Sequence, residues 1–276
     1  MSWLRAEIFP QDKSQTEIIL ALLVREGLDW FEEKEDGLIV FAEEKNFTKS
    51  RLREILEELK IKFPFSFSVS EVKDENWNEQ WEKSFQPVTI ANSIAIRASF
   101  HPPMNFPVEI IVDPKMAFGT GHHVTTRMML ENMLRENFRD KKVFDFGAGT
   151  GILSIAAEKM GAGKITALEN DPVAAENCQA NCLLNGCENI SAVCGGIELI
   201  QPKEKFDVIL ANINLNTILD SMKALKNLLA ENGIILFSGI LTGDLEKIEL
   251  SFSENDLQTI RSTESEGWLY LTVKRK

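Results

Sequence analysis

The sequence is short of bases, histidines and paired cysteines, and each shortage narrows what the chain can do. Lysine and arginine number 30 against 42 acids, a formal net charge of −12 over 276 residues. A field of that sign repels a phosphate backbone and attracts cations, so nucleic acid is disfavoured and a basic protein partner is favoured. The same acidity also serves plain solubility. No apolar run reaches the roughly 18 residues that a membrane-spanning helix needs. The opening "MSWLRAEIFPQDKSQTE" lacks the basic-then-apolar layout of a signal peptide. A cytoplasmic location, a monomeric chain and no membrane partner are expected.

The four cysteines, Cys178, Cys182, Cys187 and Cys194, crowd into one segment without a C-x-x-C pair, which argues against zinc and for reduced thiols. Cys178 and Cys182 stand one helical turn apart and read as small buried hydrophobes. There are 3 histidines, His101, His122 and His123. The adjacent pair cannot easily chelate one ion, and no metal is expected. A helix beginning near Thr125 makes them capping residues in preference to general bases.

What is present is the balance of a soluble globular protein, 44% hydrophobic and 26% charged. Residues 1–70 alternate strand and helix in the order βαββαβ, the pattern of a ferredoxin-like α+β domain, with Ser14 and Thr48 as helix caps and Gly27 closing the first helix. A connector over 71–100 includes Trp77 and Trp81 on a short helix, and strand-like runs follow from about Ala91 to Val112. From 101 to 276 the chain is α/β, with continuous apolar strands between amphipathic helices such as "NTILDSMKALKNLLAENG", which implies a parallel sheet covered on both faces. The last segment, "LQTIRSTESEGWLYLTVKRK", reads as an antiparallel hairpin on the edge of that sheet.

The stretch "VFDFGAGTGILSIAA" carries a strand into a helix through Gly147, Gly149 and Gly151. A dinucleotide fingerprint needs its third glycine at 152, which is Ile152, and a P-loop needs a lysine that does not come until Lys159. What remains is a turn that seats a ligand without a pyrophosphate across the strand ends. Asp145, just ahead of the turn, reads as a structural anchor. Glu169 ends the next strand, "KITALE", and its carboxylate suits the two hydroxyls of a ribose, although alone it would read as a solvated strand-end acid.

These features resemble the seven-strand S-adenosylmethionine-dependent methyltransferases, which share the Rossmann-like sheet and the edge hairpin, over roughly residues 108–276. "ILANINLNTILD", after the fourth strand, lacks the two prolines and the aromatic found in enzymes that methylate base or glutamine amines. The stretch "VDPKMAFGTGHHVTTRMML", with "DFGAGTGILSIAA", "NDP", "ANI" and "SGIL", closely resembles the lysine methyltransferase family of large-subunit ribosomal protein eleven. The likeness spans essentially the whole chain, by pattern more than by motif in the N-terminal part.

That resemblance implies S-adenosyl-L-methionine as methyl donor and the ribosomal protein as substrate, modified on lysine and N-terminal amines and gripped by residues 1–70. It implies donor contacts at Thr126, Gly147, Gly149, Glu169 and Asn212, with Phe118, Gly119 and Thr120 lining the methyl-transfer end, Asn212 also positioning the amine, and no general base. A hinge near Trp77 and Trp81 would let several amines reach one site. Many relatives carry aspartate where Glu169 stands, which displaces the ribose contact by a methylene, and Asn170 breaks the apolar pattern beside it. Methylation of RNA or a small molecule, or a non-catalytic assembly factor that binds the donor, are the alternatives.

Overall fold

Alternating apolar residues in "WLRAEIFP" and "FSFSVSEV" give each of these two segments one buried face. The computed structural model describes residues 3–12, 15–28, 30–34, 37–43, 46–72, 86–113 and 119–276. It divides into two units, Met1–Ser84 and Phe85–Lys276. In unit 1 the order is β1 (Trp3–Pro10), α1 (Thr16–Arg25), β2 (Trp30–Lys34), β3 (Gly37–Glu43), α2 (Lys49–Lys62) and β4 (Phe65–Val72). The antiparallel sheet runs β2-β3-β1-β4. Leu4, Ala6 and Ile8 of β1 pack with Ile19 and Leu23 of α1 and with Leu52, Ile55 and Leu56 of α2. Thr48 caps α2 as expected, its hydroxyl oxygen accepting the Arg51 N–H at 3.2 Å. The Ser14 cap and the Trp77–Trp81 connector lie outside the described residues.

Unit 2 opens with a three-stranded sheet, β5 (Val88–Ile90), β6 (Ile94–Arg97) and β7 (Val108–Ile111), then α3 (Val124–Met133). There follow β8 (Lys142–Phe146), α4 (Ile152–Lys159), β9 (Lys164–Glu169), α5 (Pro172–Leu184), β10 (Ile190–Cys194) and β11 (Phe206–Asn212). The chain ends with α6 (Leu215–Leu228), β12 (Leu229–Leu241), α7 (Leu245–Glu254), β13 (Leu257–Ser265) and β14 (Trp268–Arg275). The second sheet runs β10-β9-β8-β11-β12-β14-β13, parallel through β12. The closing hairpin sits at its edge with β14 against β12.

Alternation also decides the layers here. Val208 and Leu210 of β11 join the core under α3, α4 and α5, while Ile209 and Ala211 join the core under α6 and α7. Two boundaries differ from the sequence reading. β5 is a short strand that periodicity does not announce. Helix α6 stops at Leu228 instead of running on to Gly233, because Leu229 is buried and pairs with Phe206 of β11. Strand order reverses between β8 and β11, and in an open α/β sheet such a switch point opens a crevice at the carboxyl ends of the strands.

Candidate active site at the strand switch point

The turn from β8 to α4 is made possible by three glycines with φ of +78° at Gly147, +54° at Gly149 and +80° at Gly151, a region L side chains rarely enter. Gly147 also permits a close approach, since a Cβ there would stand 2.3 Å from Ile213 Cγ2. The turn is tied to β9 twice. Gly147 and Ala148 N–H donate to the Leu168 carbonyl at 2.9 and 3.0 Å, and the Gly149 N–H donates to Glu169 Oε2 at 2.8 Å. The other carboxylate oxygen accepts from Asn170 N at 2.9 Å and Asp171 N at 3.1 Å. Glu169 is therefore a clasp between the glycine turn and the start of α5. An ionised carboxylate has about four acceptor positions, so one remains open on Oε2 for a ligand hydroxyl.

Asp145 is fully buried, and its Oδ2 accepts the Ser154 hydroxyl of α4 at 2.6 Å. It anchors the following helix through that side chain. Burial pushes its carboxyl up to about 6 from the ordinary 3.8, opposed by the Ser154 hydrogen bond and reinforced by the Glu169 charge. Its Oδ1 has no partner among the described residues.

Across the switch point, Asn212 at the tip of β11 donates from Nδ2 to Thr126 Oγ1 of α3 at 3.4 Å. Two residues far apart in sequence are so brought together. Asn212 Oδ1 is buried and, among the described residues, has no partner. Asn212 lines a pocket of about 310 Å³ with His123, Thr125, Ile213, Asn214, Gly239 and Trp268. Ile213 is seated by two glycines, Gly147 and Gly239, since a Cβ on Gly239 would lie 2.3 Å from the Ile213 carbonyl oxygen. His123 caps α3, its Nδ1 accepting from Thr125 N at 3.3 Å, and its ring meets Trp268 edge-on at 5.3 Å. Only half of the histidine expectation describes a cap, because His122 is held instead by Thr120 Oγ1 and the Gln86 carbonyl.

The Gly119 carbonyl accepts the Thr150 hydroxyl at 2.6 Å, which sets Gly119 and Thr120 beside the glycine turn. Phe118 lies outside the described residues. Ile213, Gly239 and Trp268 escape the sequence reading. For Gly239 a signal exists, a lone glycine inside the strand "GIILFSGIL", which marks a bulge or close approach; the β12–β14 register shifts there. Trp268 carries no local signal.

A family profile described as "Ribosomal protein L11 methyltransferase (PrmA)" matches residues 14–276. The ribosomal protein L11 methyltransferase of Porphyromonas gingivalis is 38% identical over 232 residues, covering 83% of this chain and 80% of its own. That of Chlorobaculum parvum is 33% identical, covering 97% and 95%. Among solved structures, a ribosomal protein L11 methylase from Lactobacillus delbrueckii subsp. bulgaricus superposes with a TM-score of 0.63 at 32% identity, over 70% of this chain and all (100%) of that one.

Proposed function

Because the chain belongs to the ribosomal protein L11 methyltransferase family, we propose that it transfers methyl groups from S-adenosyl-L-methionine to lysine and N-terminal amines of ribosomal protein L11 in the cytoplasm. One observation carries the reading. A glycine turn clasped by Glu169 and an amide oxygen without a partner among the described residues, Asn212 Oδ1, stand at one strand switch point, at the ends of β8 and β11. When bound, the donor supplies an electrophilic methyl carbon on a sulfonium.

The residues fit that donor. Gly147 and Gly149 give the turn its left-handed backbone, Glu169 Oε2 keeps an acceptor position for a ribose hydroxyl, and Thr126 and Asn212 bound the methyl-transfer end with Gly119 and Thr120. The acceptor amine must arrive neutral, and a free lysine of pKa near 10.4 is neutral in only about one molecule in a thousand at pH 7.4. The apolar walls of Ile213 and Trp268 disfavour the ammonium, and Asn212 Oδ1 accepts an amine N–H and aims the lone pair. The proton leaves to water before attack, so no side chain has to serve as base. His122 and His123 are occupied in holding the loop and capping α3. Unit 1, on a chain of net charge −12, grips the basic substrate.

The test is tritium transfer from labelled donor by the purified full-length chain, offered ribosomal protein L11, ribosomal RNA and small amines in parallel. Label on lysine and N-terminal amines of the protein alone is the expected result. Label on RNA alone, or donor binding without transfer to anything, overturns the substrate assignment.

A further inference from the structure

Helix α5 carries Asn177 and Asn181 one turn apart on one face, and Asn185, a further turn on, is its C-cap residue. Among the described residues strand β7 pairs with β6 on one side alone, and these amides supply hydrogen bonds to the other edge of this segment. Asn185 Oδ1 accepts from Ile111 N at 2.9 Å while its Nδ2 donates to Ile111 O at 2.6 Å. One turn earlier the same exchange is shared by two residues. Asn181 Oδ1 accepts from Asp113 N at 3.0 Å, and Asn177 Nδ2 donates to Asp113 O at 2.8 Å. Side-chain amides thus stand in for a neighbouring strand.

Asn181 does one thing that Asn185 does not. Its Nδ2 donates at 2.9 Å to the carbonyl of Thr150, inside the glycine turn. Thr150 in turn donates its hydroxyl to the Gly119 carbonyl. Asn177 and Asn181 are 1% and 0% exposed, so neither bond is exchanged for water. Asp113, Thr150 and Gly119 are held by one connected set of amide and hydroxyl groups.

We infer that Asn177 and Asn181 are positioning residues for the methyl donor, acting through Thr150 to fix the glycine turn and through Asp113 to tie the end of the β7 segment to the same helix face. The inference rests on the donor assignment made above. Asn185 is its internal control: same helix face, same strand edge, same kind of bond, no contact with Asp113 or Thr150.

The experiment measures S-adenosylmethionine affinity by calorimetry and melting temperature for the full chain and for Asn181→Ala, Asn177→Ala and Asn185→Ala. All three substitutions take hydrogen-bond partners from buried or part-buried backbone groups, so all three lower the melting temperature. Asn181→Ala weakens donor binding about tenfold, Asn177→Ala less, and Asn185→Ala by no more than about twofold. In turnover, the donor KM rises for Asn181→Ala while the acceptor KM holds. Should Asn181→Ala not fold, Asn177→Ala against Asn185→Ala makes the same comparison. Equal donor affinity in the 177 or 181 variants and the 185 variant overturns the inference and leaves the donor assignment standing. A wild-type chain that binds no donor overturns both.

Discussion

The two sides of the crevice are built in opposite ways. The side proposed for the donor comes from one contiguous stretch, 143–171, and its polar groups are largely satisfied by one another, with three backbone N–H groups on the Glu169 carboxylate alone. The pocket side gathers His123, Asn212, Gly239 and Trp268 from four separate segments, has apolar walls, and keeps an amide oxygen without a partner among the described residues. On the proposed function, the side that receives the same small molecule at every turnover is fixed in advance, and the side that receives a lysine keeps a hydrogen-bond acceptor for it. If that contrast is right, Asn212→Ala lowers kcat by about 100-fold or more, since an amine misaimed by an ångström loses that much, while donor affinity falls far less. Single-turnover kinetics separate the two, and a loss confined to donor affinity would erase the contrast.

Asp145 is the exception on the proposed donor side, a buried carboxyl with one oxygen unpartnered among the described residues. Its pKa is raised by burial to about 6, so between pH about 4 and 6 the folded chain keeps a proton that the unfolded chain releases. The stability this group contributes is full below the ordinary carboxyl pKa and is lost as pH rises through 6. At neutral pH the ionised form then costs up to about 3 kcal/mol. Asp145→Asn keeps an acceptor for Ser154 without the charge. Melting curves should show little difference from wild type near pH 4 and a stabilised variant at pH 8, and a gap that does not grow with pH would remove the raised carboxyl.

The same contrast explains what the sequence reveals. The glycine turn, the Thr48 cap and Asp145 are legible because their partners lie on the same or the next element. The strand and helix order of unit 1, and of unit 2 from β8 to β12, is legible because alternation and helical spacing are local. The Asn212–Thr126 pair emerges only from family resemblance, and Trp268 not at all, because β14 is carried to β12 by sheet register across the C-terminal hairpin. Helix α6 reads too long for a related reason. The apolar spacing of "KALKNLLAENG" continues past Leu228, and only the pairing of Leu229 with Phe206 ends it.

Glu169 sharpens the donor side. Glu169→Ala removes an acceptor from Gly149 and the proposed ribose contact together, and donor affinity should fall by about 2 kcal/mol, the order of a lost charge-assisted hydrogen bond. Glu169→Gln retains one acceptor oxygen and should fall between. Calorimetry that finds the alanine variant unchanged would leave Glu169 as a clasp of the turn and nothing more.

Trp268 offers the smallest effect and the most selective one. Its ring lies edge-on to His123 in the lining of the pocket. Trp268→Ala takes away an aromatic wall worth about 1 kcal/mol, which should raise the acceptor KM about fivefold, and Trp268→Phe should recover most of it. Donor affinity should not move, because no hydrogen bond of the Gly147–Gly151 turn or of Glu169 runs through β14 among the described residues. The route by which it could move is short, since His123 caps α3 through Thr125, and Thr126 follows one residue on to meet Asn212. Steady-state kinetics with each substrate varied in turn decide between a wall for the amine and a support for α3: a matched rise in donor Kd would mean that the two sides of the crevice are one mechanical unit.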